Sequence, residues 1–210
     1  MDNLKPDKRN LFLAAVRRRA WILPALLLPV AVSARPAGQP EISLAVRDGL
    51  YHLRAVFFVS ADPQTVWEVL TDYDHVPRFV SLVTKSKTLD RDGNNVLIRQ
   101  DIVGRFFFVF RRLHLKLRVE EEPLRAVRFE DILGTDFVHY QGSWTLREKP
   151  GGEEVTYELA ARPRFTLPTF LVKSLFARSD RRLINEMRKE MMRRWAERPE
   201  KTASPALRTP

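Results

Sequence analysis

The segment TLPTFLVKSLFARSDRRLINEMRKEMMRRWAE, residues 166–197, is the last long segment of the chain, and the arrangement of everything before it depends on its role. At helical spacing one stripe is apolar and consists of Val172, Phe176, Leu183, Met187 and Met191. This spacing is typical of an amphipathic helix, with its period of about 3.6 residues. The other faces are rich in arginine. Two interpretations are open: the helix lies on an acidic surface, or its apolar stripe covers a structure built by the preceding chain.

Composition limits the class of protein. A chain of 210 residues predicts one domain with short appendages, and a hydrophobic fraction of 44% is enough for a core. Cysteine is absent, which excludes disulfides, thiolate metal sites and a cysteine nucleophile. The formal charge of +10 suggests nucleic acid at first, but part of that charge belongs to the amino terminus.

The first 34 residues have the pattern of a secretory signal. A basic region ends at Arg17-Arg18-Arg19, an apolar run covers Ala20–Val32, and the small residues Ser33-Ala34 follow. The run is shorter than the roughly 20 residues that span a bilayer. We therefore predict cleavage after Ala34 and a periplasmic or secreted protein, with an uncleaved anchor at residues 11–32 as the alternative. Removal of this segment leaves a charge of about +6, which is ordinary for a soluble surface, and export argues against a nucleic-acid partner.

Residues 35–41 form a short polar linker, and the folded part begins with a predicted hairpin or, alternatively, one long strand bent at Gly49. Ile42–Val46 and Tyr51–Ser60 alternate as strands do, and the Asp48-Gly49 pair between them suits a tight turn. Asp62-Pro63 then has the pattern of a helix start, an N-cap acceptor followed by proline. A second short helix is predicted over His75–Val80.

After residue 81, apolar residues recur at every second position, and residues typical of turns occur at regular intervals. Six strands are predicted, at Leu82–Leu89, Val96–Val103, Leu113–Val119, Val127–Leu133, Val138–Arg147 and Val155–Arg162. Phe106–Phe110 is apolar in both phases and is either a wide turn or a strand covered on both faces. A curved meander of six strands leaves one face to be covered, and the final helix is the apolar element that remains. This favours the second interpretation of residues 166–197. Residues 199–210 are polar, contain three prolines, and form a predicted disordered tail.

The stretch ADPQTVWEVLTDYD, residues 61–74, resembles the opening motif of the START-like SRPBCC superfamily, which includes the polyketide cyclase/dehydrase and coenzyme Q-binding families. The resemblance continues through Phe129, Gly142-Ser143-Trp144 and Tyr157 to the closing helix. It implies an α+β helix-grip fold over residues 42–198. In that fold a curved antiparallel sheet of about six or seven strands wraps around a long carboxy-terminal helix, and two short helices follow the first strand. It also implies a cavity for an apolar ligand between the sheet and the helix.

The inward faces of the strands agree with such a cavity. If the more apolar phase points inward, the inward set is Phe57, Val59, Leu113, Leu115, Leu117, Val127, Phe129, Val138, Tyr140, Trp144, Val155, Tyr157 and Leu159. Such side chains either fill a core or line a pocket, and the resemblance favours a pocket. The residues we predict to contact the ligand are Trp67, Phe79, Phe129, Asp131, Tyr140, Trp144, Tyr157, Phe176, Asp180 and Met187.

Two carboxylates in this set have alternative explanations. Asp131 shares the inward phase of Phe129, but it also lies at a strand end near solvent. Asp180 falls on the apolar stripe of the last helix, where Ser179-Asp180 could instead cap a new helix. The functional hypothesis is that one of them binds the polar head of a ligand together with Tyr140 or Tyr157.

Motifs for catalysis are weak. The four histidines have no metal-ligand spacing, and there is no nucleophile elbow or phosphate loop, so no metal, cofactor or catalytic residue is predicted. The sequence favours an exported binding protein for a lipid, fatty acyl, isoprenoid or polyketide-like molecule. A cyclase or dehydrase acting in the same cavity is the alternative. The arginine-rich back of the last helix is a candidate contact for an anionic membrane surface.

Overall fold

The structure is a computed structural model that describes residues 39–106, 109–164 and 169–198. Within these ranges, residues 104–106, 109–110 and 169–180 are described by their backbone alone. The predicted signal segment, most of the linker and the predicted tail lie outside the described residues. Within the described ranges, no helix is both long and apolar enough to cross a membrane.

The order of the elements follows the predicted order. The strands are β1 (Glu41–Arg47), β2 (Leu50–Val59), β3 (Val83–Asp92), β4 (Asn95–Phe106), β5 (Val109–Glu122), β6 (Ala126–Asp131), β7 (Phe137–Lys149) and β8 (Gly152–Pro163). The helices are α1 (Pro63–Leu70), α2 (Val76–Phe79) and α3 (Thr169–Ala196), and a 3-10 turn over Tyr73–His75 precedes α2. Asp62 caps α1 as predicted, because its Oδ1 accepts the backbone N–H of Thr65 at 3.0 Å.

The strands form one antiparallel sheet in the order β1-β2-β8-β7-β6-β5-β4-β3. The six strands β3 to β8 are the predicted meander, and β2 pairs with β8, so the first hairpin extends the sheet at that side. Asp48 and Gly49 turn that hairpin with φ values of 50° and 73°. The sheet has eight strands, slightly more than the six or seven expected, and the α+β helix-grip class is confirmed.

The last helix covers the sheet. α3 contacts β1 and β2 near one edge and β4 near the other, so the sheet curves around it. Ile184, Met187 and Met191 of α3 are at most 4% exposed and pack with Val66 and Val69 of α1 against the inward side chains of the strands. Full burial of side chains of this size contributes about 1.5–3 kcal/mol each. This packing is the main attachment of α3 to the sheet.

The structure resolves three open points of the sequence. β4 and β5 remain paired up to Phe106 and Val109, so the described residues of the phenylalanine run, 106 and 109–110, belong to these two strands. α3 passes through Ser179-Asp180 without a break, so the alternative of a new helix at that point is wrong. The prediction that Val138 points inward is also wrong: a bulge in β7 between Phe137 and His139 shifts the register, and Val138 is 54% exposed while Phe137 is buried.

Candidate ligand-binding cavity

A cavity of about 210 Å³ lies between the sheet and the helices. One wall comes from β6, β7 and β8, and the opposite wall comes from β3, β4 and β5. The three helices and the connections beside α2 supply the remainder. The described side chains that line it are Leu70, Tyr73, Val76, Val80, Leu82, Val83, Ile98, Gln100, Ile102, Val103, Leu113, Leu117, Val119, Val127, Phe129, Phe137, Tyr140, Trp144, Tyr157, Leu159, Leu183 and Met187. A mostly apolar lining with a few polar groups is typical of small-molecule sites.

Five aromatic rings form one wall of the cavity, and we call them the aromatic wall: Phe129, Phe137, Tyr140, Trp144 and Tyr157. The ring centroids of Trp144 and Tyr157 are 4.3 Å apart, and those of Phe137 and Tyr140 are 4.8 Å apart. Phe129 joins the two pairs, 6.0 Å from Tyr140 and 6.4 Å from Tyr157. Tilted and offset rings at these distances attract one another, so the wall is a connected surface against which a flat or flexible apolar molecule can pack.

The position of Phe129 in this wall depends on a glycine. Gly142 of β7 pairs with Phe129 of β6. A Cβ atom added at Gly142 would lie 2.5 Å from Phe129 Cζ and 2.5 Å from the backbone oxygen of Glu158. Only a residue without a side chain leaves this space, so Gly142 allows the Phe129 ring to pack close to β7.

A buried carboxylate lies behind one end of the cavity. Tyr73, which lines the cavity, donates its hydroxyl to Glu121 Oε1 at 2.8 Å. Arg91 donates to both oxygens of Glu121, at 2.9 and 3.1 Å, and so balances its charge. Burial, together with the hydrogen bond to Glu121, raises the pKa of Tyr73 above its ordinary value. The Tyr73 hydroxyl therefore stays protonated at neutral pH.

Gln100 is the one amide in the described lining. It lies on the inward face of β4 between Ile98 and Ile102, which also line the cavity. Its Nε2 donates to Ser86 Oγ of β3 at 3.1 Å. The Gln100 side chain makes no second hydrogen bond to any residue that the structure describes.

Hydrogen bonds and an ion pair also hold α3 over the cavity, where Leu183 and Met187 are its lining residues. Glu186 accepts the backbone N–H of Ser81 at 2.9 Å and its hydroxyl at 2.7 Å, which joins α3 to the chain between α2 and β3. Near the end of α3, hydrogen bonds from Arg193 and then Arg194 lower the pKa of Glu190 to about 2, despite its burial. Arg194 also donates to Asp72 at 2.6 Å. These contacts tie α3 to the α1–α2 region.

Five of the predicted contact residues come together on the cavity: Phe129, Tyr140, Trp144, Tyr157 and Met187. Whether they contact a ligand stays a prediction.

The structure places three others elsewhere. Trp67 and Phe79 are half-buried against the core but do not line the cavity, and Arg194 lies over the Phe79 ring at 5.4 Å. Asp131 accepts the backbone N–H groups of Lys116, Leu133 and Gly134, so it shapes the turn after β6 and is not part of the described lining. The side chains of Phe176 and Asp180 lie outside the described part.

The wall formed by β4 was not predicted from the sequence. Val96, Ile98, Gln100 and Ile102 alternate in one phase, and that alternation could have placed Gln100 on the inward face. Tyr73 was not predicted either, because it lies in a 3-10 turn and its burial depends on its partner Glu121, 48 residues away.

Comparisons with known proteins agree with this architecture. One solved structure, the protein TTHA0849 from Thermus thermophilus, is 19% identical in sequence to this chain. The match covers 68% of this chain and 98% of TTHA0849, and the two structures superpose with a TM-score of 0.59. The Zhui aromatase/cyclase from a Streptomyces species is 15% identical in sequence. The match covers 69% of this chain and 95% of the Zhui chain, with a TM-score of 0.59. The STAR-related lipid transfer protein from Xanthomonas axonopodis is 19% identical in sequence. The match covers 71% of this chain and 98% of the Xanthomonas chain, and the TM-score is 0.55. Similarities at these identities show the fold alone.

No curated protein sequence matches the chain. A family model does match, over residues 59–188, and its description is polyketide cyclase / dehydrase and lipid transport. The matched range begins at the end of β2 and ends in α3, so it includes both walls of the cavity and the helix that covers it. The chain therefore belongs to the polyketide cyclase / dehydrase and lipid transport family, within the START-like SRPBCC superfamily.

Proposed function

We propose that this chain is an exported binding protein that holds an apolar small molecule, of the lipid, fatty acyl, isoprenoid or polyketide-like kind, between the sheet and α3. The observation that carries the proposal is the cavity of about 210 Å³ with its apolar and aromatic lining. Burial of roughly 200 Å² of apolar ligand surface contributes about 5 kcal/mol at ~25 cal/mol per Å². This is enough for useful affinity when the protein site is already formed and little ordering is required.

The alternative is a cyclase or dehydrase that works in the same cavity, since the family description includes both activities. Catalysis of that kind needs a group that accepts or donates protons near neutral pH. The described polar groups of the lining are the amide of Gln100, the indole N–H of Trp144 and the hydroxyls of Tyr73, Tyr140 and Tyr157. An amide does not titrate, and the raised pKa of Tyr73 makes its hydroxyl a weak acid. These groups suit orientation of a ligand better than proton transfer, which favours binding.

Native mass spectrometry of the protein purified from its own export compartment tests the proposal directly. We expect a co-purifying apolar molecule whose mass disappears after extraction with organic solvent. A protein that arrives empty and binds no lipophilic dye would contradict it.

A variant that fills the cavity gives a second test. Leu183→Trp places a large ring at the cavity from a position on α3 that is half-buried, so the helix can accommodate it. We expect at least about a tenfold loss of affinity for the neutral dye Nile red. Leu89→Trp is the matched control, because Leu89 is 46% exposed on β3 and does not line the cavity. If both variants bind the dye as the parent does, the cavity is not the binding site.

Export is the part of the proposal that rests on residues 1–34. The expected result is a mature protein in the periplasmic or secreted fraction whose amino-terminal residue is Arg35. An intact amino terminus in the membrane fraction would support the anchor alternative instead, and an intact chain in the cytosol would contradict export.

An anionic membrane surface is the second partner in the proposal, through the arginines of α3. The described arginines near its end already have acidic partners: Arg193 pairs with Glu197, Arg194 with Glu190 and Arg198 with Glu68. Lipid phosphates must therefore compete with these carboxylates, and we expect weak, salt-sensitive binding. Vesicle flotation with anionic and neutral lipid measures it, and equal flotation with both would remove this partner.

A further inference from the structure

Gln100 is a polar side chain placed among apolar neighbours on a cavity wall. It alternates along β4 with Ile98 and Ile102, and the residue that pairs with it on β5 is Leu115, which is 1% exposed. Ser86 of β3 accepts a hydrogen bond from its Nε2 at 3.1 Å. That bond fixes the amide and leaves Oε1 as the end that is open to a further donor.

An apolar ligand that fills the cavity displaces water from this carbonyl oxygen. A buried acceptor without a donor lowers the affinity, whereas a donor on the ligand restores the hydrogen bond. The Ser86 hydroxyl is already the partner of Nε2, and the neighbours of the amide along β4 and across on β5 are aliphatic, so the donor to Oε1 comes from the ligand.

The charge of the side chains that line the cavity limits the chemical class of the ligand further. The described lining consists of uncharged side chains. Glu121, the carboxylate behind Tyr73, already receives two hydrogen bonds from Arg91. A ligand carboxylate placed beside Gln100 would be desolvated against a lining of aliphatic and aromatic groups, which strongly disfavours its charged form.

We propose that the ligand is an uncharged apolar molecule with a hydroxyl group, that this hydroxyl donates to Gln100 Oε1, and that the apolar body packs against the aromatic wall. This inference rests on the proposed binding function and makes Gln100 a specificity-determining residue. It favours alcohols over carboxylic acids with the same hydrocarbon chain.

Three probes that differ only in the end group test it: decanol, decyl methyl ether and decanoate, measured by displacement of Nile red at neutral pH. Decanol can donate a hydrogen bond, the ether can only accept one, and decanoate carries a charge. We expect decanol to bind roughly three- to tenfold more tightly than the ether, which is the usual value of one hydrogen bond. We expect decanoate to bind at least about tenfold more weakly than decanol.

The variant Gln100→Leu keeps the size of the side chain and removes the acceptor. It should bind the ether more tightly than the parent does, because no buried acceptor is left without a donor, and it should lose the preference for decanol over the ether. Gln141→Leu is the matched control: Gln141 is exposed on β7 and lies outside the cavity lining, so this variant should keep the preference.

The outcomes separate the two proposals. If Nile red and all three probes fail to bind, the binding function itself is wrong and this inference is overturned with it. If the probes bind but decanoate or the ether equals decanol, the binding function stands and the assignment of Gln100 is overturned. Retention of the decanol preference in Gln100→Leu overturns the assignment in the same way.

Discussion

At the scale of single residues, Glu153 of β8 is placed at a cost to stability. It is 1% exposed, and its Oε1 has no hydrogen-bond partner within the described residues. Burial, with a smaller effect from the carboxylate of Glu148 on the paired strand, raises its pKa above the ordinary value. A carboxyl with a raised pKa holds its proton longer in the folded state than in the unfolded chain. Its contribution is therefore favourable at low pH and is lost as the pH rises from the unfolded pKa through the folded one.

The variant Glu153→Gln should therefore be more stable than the parent at neutral pH, by about 1 kcal/mol, because no charge remains to be desolvated. The difference should shrink as the pH falls below the ordinary carboxyl pKa of about 4.3. Urea unfolding at neutral pH and at low pH measures both. Glu154→Gln is the control, since Glu154 is half-buried and lies 3.7 Å from the amino group of Lys149; it should give no gain. A gain for Glu153→Gln that is equal at both pH values would show that charge is not the cause.

Gly142 gives a second prediction at this scale. In Gly142→Ala the new Cβ would meet Phe129 Cζ and the backbone oxygen of Glu158, each at 2.5 Å, so the ring or the strand must move. Overpacking of this kind costs about 1–3 kcal/mol. We expect a lower midpoint of urea unfolding together with weaker Nile red binding, because Phe129 belongs to the aromatic wall. Ser143→Ala, at the next position, should change neither. Removing the ring as well, in the double variant with Phe129→Leu, should recover part of the stability, since only the backbone contact remains.

At the scale of elements, the capping of α1 is a local interaction with a tertiary addition. Asp62 accepts the N–H of Thr65 at 3.0 Å, and Arg198, beyond the end of α3, donates to the same carboxylate at 3.4 Å. The Thr65 hydroxyl also donates to Asp62 Oδ2. Asp62→Ala removes all three contacts and should cost about 1 kcal/mol of unfolding free energy. Asp62→Asn keeps the cap oxygen and should retain most of the stability. Urea unfolding of the two variants beside the parent measures both losses. Equal losses in the two variants would show that the ion pair with Arg198 is the more important contact.

The elements also show which features the sequence can predict. The turn at Asp48-Gly49, the start of α1 at Asp62-Pro63 and the strand alternation after residue 81 depend on neighbouring residues, and the structure agrees with all three. The bulge in β7 does not follow from alternation. The bulge places the side chain of Val138 on the outer face of the sheet, and the residues after it lie on the faces predicted for them.

The candidate site was predictable only on the side where aromatic residues mark it. Four rings of the aromatic wall, Phe129, Tyr140, Trp144 and Tyr157, were identified by their phase. Phe137 was missed because of the bulge next to it. Gln100 was missed because a single amide in a strand does not reveal that its neighbours enclose a cavity. Asp131 shows the opposite error. Its phase suggested a ligand group, but three backbone N–H groups of the following turn and the adjacent strand occupy its oxygens. Contacts of this kind depend on the tertiary arrangement of the chain.

At the scale of the whole molecule, the cavity is lined by residues of the hydrophobic core, so ligand binding and folding are linked. A ligand that binds only the folded state stabilises it by about 2.7 kcal/mol at a concentration of 100 times its dissociation constant. For a domain of this size such a gain raises the melting temperature by roughly 5–10 °C.

Extraction of the purified protein with organic solvent should therefore lower the melting temperature. Addition of decanol should restore it in a concentration-dependent way. Leu183→Trp fills the space with a side chain, so its melting temperature should not respond to either treatment. A parent protein that melts at the same temperature before extraction, after it and with added ligand would show that the core is complete without a ligand, and the domain would then be a structural one.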